Sequence, residues 1–237
     1  SVPLKGNGDL TIKDYETGEV IYMTSFSSLF QEWITTPEAL TITKSFEFTL
    51  LVPMPKHQAT ATLVLRDNVG KESIHHFTID PNDVLIRNCN NVEALPHTYV
   101  HKGGDSKEVI DVVILAEGYT TSEMETFLED AKITAEEILS YEPFKSHSDK
   151  FNFIAVLSPS LDSNVSVPQE EAWRNTAVGS NFMTFYMARY LTSGNVYSMY
   201  DLATNIPCEH FIILANTDTY GGGGIYNSYT LTTAHHR

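Results

Sequence analysis

The sequence is poor in cysteine, in basic residues and in long apolar runs. Its 237 residues include two cysteines, Cys89 and Cys208, too few and too far apart for a disulfide framework or a zinc ribbon. Fifteen basic side chains stand against thirty acidic ones, and a net charge of -15 would be repelled by nucleic acid or an anionic membrane. No apolar run approaches the roughly 20 residues of a spanning helix. We therefore expect neither a nucleic-acid partner nor a membrane-spanning segment.

Catalytic motifs that depend on local spacing are also missing. The chain has no G-x-S-x-G of a serine hydrolase and no cysteine set beside a histidine motif. His97 and His101 have the spacing of a helical zinc pair, but Thr98 stands where a general-base Glu belongs. The segment is typical of a strand, in which about 13 Å would separate the two residues. These histidines are predicted to lie on a solvent-facing strand without metal.

The first 80 residues have the alternating apolar pattern of half-buried strands. The alternating residues are Phe46, Phe48, Leu50, Val52, Ala61, Leu63 and Leu65. Turn signals occur at residues 16–18, 53–55 and 67–70, which suits antiparallel hairpins. We therefore predict an antiparallel β-sandwich over residues 1–95, with one short helix near residues 28–33.

The second half has a different pattern, which begins after a predicted linker at residues 96–108. Residues 120–123 fit a capping box, and an amphipathic helix should follow from Met124 until Pro143 ends it. Buried strands are predicted at residues 109–116, 151–157 and 211–215, helices at 182–191 and 196–203, and a strand-prone segment at 225–232. Strand, helix and strand in this order are typical of α/β or α+β proteins.

Polar residues that follow the buried strands are candidates for a cleft. Glu117 and Tyr119 follow the first such strand, Asp162 follows the second, and His235 ends the strand-prone segment. Ligands bind at the carboxyl ends of strands in open α/β sheets. For Glu117 a role in holding a loop is favoured over catalysis. The four glycines before residue 225 indicate either a flexible turn or backbone that lies open to a ligand.

Four segments of the second half, taken together, resemble one family. They are VVILAEGY at 112–119, DSNVSVP at 162–168, NTAVGSNF at 175–182 and YGGGGIY at 220–226. In this order they resemble the bacterial IgA-peptidase family of zinc metallopeptidases, and the front part resembles the N-terminal domain of that family. The resemblance implies an α+β protein with a zincin-like catalytic domain at residues 109–237. It also implies a zinc cofactor, a peptide or protein substrate and export from a gut-type bacterium to the periplasm, cell surface or medium.

The resemblance further implies a sheet-edge strand that pairs with an extended substrate. The substrate-binding residues would be Gly221, Gly222, Gly223, Gly224, Ile225 and Tyr226.

The H-E-x-x-H motif of that family, which supplies zinc ligands and the general base, occurs nowhere in the chain. No catalytic residue or metal ligand is therefore assigned within it. From the order of the family's segments, the motif is expected downstream of Arg237. Zinc is accordingly expected in the full-length protein, of which this chain would be an inactive fragment.

Two alternatives remain open from the sequence. The chain could be a surface binding module that recognises host glycan or protein through its front half. It could also be a family member without catalysis that still holds peptides beside the glycine run.

Overall fold

The computed structural model describes residues 5–235, which fall into two compact units. The N-terminal unit runs to Cys89 and includes Ile225–Ser228, and the C-terminal unit comprises Asn90–Gly224 and the residues from Tyr229 onward. The described residues form two sheets and few helices, so the predicted α+β class is confirmed. Within residues 5–235, no helix combines the length and apolarity needed to cross a bilayer.

The N-terminal unit is built on a four-stranded antiparallel sheet with the order β2-β1-β3-β4. Its elements are β1 (Gly8–Asp14), β2 (Val20–Phe26), the short helix α1 (Leu29–Trp33), a 3₁₀ turn (Pro37–Leu40), β3 (Ala59–Arg66) and β4 (Glu72–Ile79). Side chains alternate along these strands, and a small core forms from Leu10, Ile12, Ala59 and Ala61. The predicted short helix and the hairpin turns at residues 16–18 and 67–70 are confirmed.

The strand expected over residues 46–52 differs from the structure, because this segment belongs to neither described sheet. Its side chains do alternate, with Phe46 and Phe48 partly buried and Glu47 exposed. The Phe48 ring stacks on Phe26 at 4.7 Å between centroids, and Phe46 meets the edge of Phe30 at 6.4 Å. Aromatic packing therefore produces the alternation without a strand ladder. A second sheet, and with it the sandwich, stays a prediction.

The C-terminal unit contains a mixed six-stranded sheet with the order β5-β7-β6-β8-β10-β9. Its strands are β5 (His97–Lys102), β6 (Ile110–Glu117), β7 (Phe151–Val156), β8 (His210–Ala215), β9 (Gly222–Ile225) and β10 (Tyr229–Thr233). Its helices are α2 (Met124–Ser140) and α3 (Val196–Leu202), and short 3₁₀ turns lie at Thr121–Glu123, Lys145–Lys150, Pro168–Glu170 and Thr184–Tyr186. The predicted buried strands, the helix after Met124 and the helix at 196–203 are thus confirmed.

Strand β6 lies in the middle of this sheet and runs parallel to both of its neighbours, β7 and β8. Seven of its eight residues are buried, which is why it is a continuous apolar run in sequence. Phe127, Ala131 and Ala135 of α2 pack on one face in the same core cluster as Ile114. The segment predicted as a linker, residues 96–108, includes β5 of this sheet.

The helix predicted at residues 182–191 is wrong. The structure has only the 3₁₀ turn Thr184–Tyr186 there, and Met183, Phe185 and Tyr186 have φ values of 63°, 51° and 65°. A helix needs φ near -60°. The apolar spacing arises because Phe182 and Leu191 are each fully buried in the core, from the two ends of an irregular loop.

Candidate functional site

Four parallel strands bring their carboxyl ends to one edge of the C-terminal sheet. Strand β6 is parallel to β7 and β8, and β8 is parallel to β10. The residues at or just after these ends are Glu117 on β6, Ser158 and Ser160 after β7, Asn216 after β8 and His235 after β10. We call this edge the strand-end face. Tyr119 also follows β6, and Asp162 lies in the loop after β7, so all four predicted cleft residues lie at or after the ends of these strands.

Glu117 is fully buried at the strand-end face and is occupied by hydrogen bonds. Its Oε1 accepts from the Thr176 hydroxyl at 2.5 Å and from the Ser180 amide and hydroxyl at 2.8 and 2.6 Å, and its Oε2 accepts from the Val178 amide at 2.9 Å. A buried carboxylate requires such partners. The geometry is that of a residue that holds the loop 176–180 in place.

Gly118 allows a second loop to approach the end of β6. Its φ is 72°, and a Cβ at this position would lie 2.5 Å from the carbonyl oxygen of Asn164. The Asn164 amide donates to the Gly118 carbonyl at 2.8 Å, and the Asn216 side chain donates to the same carbonyl at 2.9 Å. Glycine is therefore required here by both conformation and space.

Glu123 caps the start of α2, as predicted, and also forms hydrogen bonds with residues that follow β7 and β8. Its carboxylate accepts from the Thr120 amide at 2.8 Å and the Thr120 hydroxyl at 2.7 Å, which confirms the capping box. The Ser163 hydroxyl donates to it at 2.7 Å and the side-chain Nδ2 of Asn216 at 3.2 Å. Burial raises the pKa of Glu123, but these hydrogen bonds outweigh it, so the pKa lies below its usual value.

Tyr119 and His235 meet through a residue that sequence reasoning missed, Asp130 of α2. The buried Tyr119 hydroxyl donates to Asp130 Oδ2 at 2.9 Å. The His235 Nε2 lies 3.3 Å from the same oxygen, and its Nδ1 lies 3.3 Å from Asp218 Oδ1. Asp130 was detectable in principle, because it is an acidic residue within the apolar stripe of α2, three residues after Phe127.

Asp162 lies in the polar loop after β7 and ties that loop to another. Its Oδ2 accepts from the Asn175 amide at 2.7 Å, and its own amide donates to the Asn175 carbonyl at 3.1 Å. These paired bonds give Asp162 a loop-fastening role.

Three glycines of the run, Gly222 to Gly224, lie on β9, the last strand in the order of the six-stranded sheet. The outer side of Gly222 is already paired, because its amide donates to the Arg189 carbonyl at 3.1 Å and its carbonyl accepts from the Leu191 amide at 3.3 Å. A Cβ on Gly223 would lie 2.6 Å from the Tyr190 ring and 2.7 Å from the Leu191 carbonyl oxygen. The absence of side chains at Gly221 and Gly223 therefore leaves room for residues 189–191 of the same chain. A Cβ on Gly224, in contrast, would meet no atom within 4 Å.

A groove of about 410 Å³ follows this sheet edge in the C-terminal unit. Its lining includes Met187, Arg189, Tyr220, the four glycines and Thr232. Ile225 and Tyr226 are grouped instead with the N-terminal unit, where the Tyr226 carbonyl accepts from the Ser27 amide at 3.0 Å. The structure thus brings four of the six predicted substrate-binding residues together along one groove, and their role in binding stays a prediction.

The residues of the strand-end face do not fit a zinc site. Across residues 5–235, no three His, Cys, Asp or Glu side chains come together as metal ligands. Both ring nitrogens of His235 face carboxylates at hydrogen-bond distance, on different sides of the ring. Zinc ligands instead converge on one point about 2 Å away.

The predicted position of the zinc-binding motif falls beyond the part of the chain that the structure describes. Arg237, after which the H-E-x-x-H sequence is expected, lies outside the described residues, which end at His235. The placement of the motif downstream of Arg237 therefore stays a prediction.

These features define an α+β protein with a mixed sheet. Polar residues at the ends of its strands hold loops in place by hydrogen bonds, and a groove follows one edge of the sheet. The chain belongs to the IgA Peptidase M64 family, whose model matches residues 99–237, and the Peptidase M64 N-terminus model matches residues 1–77. The predicted resemblance is thereby confirmed. No curated protein matches the chain. Membership implies a metallopeptidase, which acts on peptides or proteins.

Proposed function

We propose that the protein is an exported zinc metallopeptidase and that these 237 residues carry part of its peptide groove without its zinc site. The observation that carries this proposal is the family match over residues 99–237, joined to a glycine-rich strand at the end of the sheet. In such enzymes the bound metal activates the water that attacks the peptide bond. The residues of this chain would bind and orient the peptide.

The edge strand β9 supports the peptide-binding part of the proposal. An extended peptide adds to an open sheet edge through main-chain hydrogen bonds. At Gly222 that edge is taken by residues 189–191, so the peptide would pair further along, beside Gly224. The open space around Gly224 allows the backbones to approach closely.

A matched pair of substitutions tests this edge in the longest protein that the gene encodes. Gly224→Pro removes the backbone donor, whereas Gly224→Ala keeps it. We expect the Pro variant to lose at least about tenfold in kcat/KM for peptides, the worth of one to two hydrogen bonds, while the Ala variant loses little. Both should melt within a few degrees of wild type. Equal kcat/KM in the two variants would remove β9 as the peptide-binding edge.

Metal analysis tests the placement of the zinc site downstream of Arg237. We expect the 237-residue chain to bind no stoichiometric zinc and to cleave no peptide, and the longer gene product to do both. One equivalent of tightly bound zinc on the 237-residue chain would contradict the first expectation. A gene product without H-E-x-x-H would overturn the zinc-peptidase assignment.

A second candidate function is binding without cleavage, either by a surface module or by a family member without catalysis. It is favoured by an aromatic-lined cavity in the N-terminal unit. Host glycan, protein or peptide would be held there or along β9. This function would be favoured over peptidase activity if the full-length protein binds zinc and binds a peptide saturably, but does not cleave that peptide.

A further inference from the structure

The N-terminal unit contains a cavity of about 590 Å³ that the described side chains, those of residues 5–89, leave unfilled. Residues from β2, β3, α1 and the segment after the 3₁₀ turn line it, among them Phe26, Phe30, Phe46, Phe48, Leu63 and Leu65. The cavity is partly open to solvent, and small-molecule sites are typically about 300–1,000 Å³. A space of this size, bounded by large apolar side chains, therefore has the dimensions of a ligand site.

The aromatic side chains around the cavity hold one another in place. Phe26 and Phe48 stack with 21° between their planes, and Phe30 and Phe46 meet at 68°. Phe26 is buried, whereas the other three are only partly buried, so they retain accessible apolar surface. An aromatic ligand would find both ring faces and ring edges, which are the two favoured contact geometries for aromatic groups.

Three cationic and two anionic side chains line the cavity, although the whole chain is strongly acidic. The charged lining residues are Lys44, Arg66, Lys71, Asp67 and Glu72. Lys44 pairs with Glu38 at 3.1 Å, and Arg66 pairs with Asp9 and with Glu72.

Lys71 is the cation left over at this cavity. It is exposed, and among the residues that the structure describes its ammonium forms no ion pair. The Asp67 carboxylate keeps its charge, but the backbone amides of Val69 and Lys71 hold one of its oxygens within the turn. The long Lys71 side chain can reach a ligand in the cavity and pair with an anionic group.

We propose that this cavity binds an aromatic anion of two to three rings, with its rings against the phenylalanines and its charge near Lys71. The site is separate from the groove along β9 and does not depend on the peptidase proposal.

Two dyes that differ by one charged group test the proposal on the 237-residue chain. 1-Anilinonaphthalene-8-sulfonate is an aromatic anion, and N-phenyl-1-naphthylamine is the same ring system without the sulfonate. We expect saturable binding of the anion, and weaker binding of the neutral dye. Lys71→Gln should lower the affinity for the anionic dye by about two- to fivefold at low salt, as expected for an exposed ion pair. It should leave the affinity for the neutral dye unchanged. Lys107→Gln, an exposed lysine of the C-terminal unit, is the matched control.

Filling the cavity tests its location. Leu63→Trp and Leu65→Trp should each lower the affinity for both dyes by at least about tenfold. Leu85→Trp, at a residue that is 87% exposed, should leave both affinities unchanged. Melting curves identify variants that fold, and amide chemical shifts of the wild-type chain give an independent measure. Shifts clustered on Phe48, Leu63 and Leu65 would support the site. Shifts elsewhere or no saturable binding would overturn it, and equal affinity for the two dyes would overturn the anionic class.

Discussion

The two sheets of this protein bury their residues to different extents. In the N-terminal sheet the last strand, β4, has seven exposed residues out of eight, and the core cluster has four buried members. In the C-terminal sheet, β6 is buried along seven of eight residues, and its core cluster draws on α2, β6, β7 and β8.

The difference follows from how each sheet is connected. Antiparallel hairpins form the first sheet and can leave one face to solvent, whereas parallel strands need crossovers that cover the sheet. Burial on both sides then forces polar groups at strand ends to find partners inside the protein, as Glu117 does. The C-terminal unit thus gains fixed loops, and the N-terminal unit keeps accessible apolar surface and an unfilled cavity.

The largest effect is expected for Glu117→Ala. The substitution removes the acceptor of four hydrogen bonds and leaves buried donors without partners, so we expect a loss of about 3–5 kcal/mol in the free energy of unfolding. Urea denaturation measures the loss. Glu125→Ala, on the exposed face of α2, is the control and should change stability by less than about 0.5 kcal/mol. A loss below about 1 kcal/mol at Glu117 would mean that its loop is held by other contacts.

The second effect compares the two sheets directly. Leu115→Ala in β6 deletes a fully buried side chain and should cost about 3 kcal/mol. Ile74→Ala in β4 truncates a side chain that is 55% exposed and should cost less than about 1 kcal/mol. Thermal unfolding with domain-specific probes measures both. Similar costs at the two positions would contradict the contrast between the sheets.

The third effect tests whether the C-terminal sheet is packed as far as its edge strand. Gly223→Ala places a methyl group against the Tyr190 ring and the Leu191 carbonyl, so we expect a loss of about 1–3 kcal/mol. Gly224→Ala meets open space and should leave stability within about 0.5 kcal/mol. Urea denaturation of both variants measures the difference. Equal losses would show that residues 189–192 do not press on β9 in solution.

The smallest effect concerns the cap of α2 and depends on pH. The folded pKa of Glu123 lies below the ordinary value of a glutamate, so its ionised carboxylate stabilises the fold above about pH 4.5 and the contribution is lost as the pH falls further. Glu123→Gln should cost about 1 kcal/mol at pH 7, and the difference from wild type should shrink towards pH 3. Glu125→Gln provides the matched comparison. A difference that stays constant from pH 7 to pH 3 would rule out the charge as its source.

Local patterns predicted the parts of the fold that depend on nearby residues. The capping box at Thr120 and Glu123 uses residues three positions apart. The continuous apolar run of β6 directly indicates a buried strand. Four short segments in a fixed order were enough to indicate the family. In contrast, the apolar spacing of residues 182–191 suggested a helix, because spacing alone does not show that Phe182 and Leu191 enter the core from separate ends of a loop.

Residues distant in sequence form the contacts that only the tertiary structure revealed. Asp130 contacts both Tyr119 and His235, and His235 lies 105 positions from Asp130. Arg189 and Leu191 form hydrogen bonds with the outer side of Gly222. The aromatic cavity likewise combines Phe26, on β2, with Leu63, on β3.

By itself, the sequence determined which segments form the buried strands β6, β7 and β8 and the helix α2 of the C-terminal unit, because hydrogen bonding and amphipathic burial act over a few residues. The tertiary structure decided which polar groups are occupied and which stay accessible. Partners such as Glu117 and Ser180 are brought together only when β6 is buried, and the desolvation of the carboxylate makes these bonds necessary.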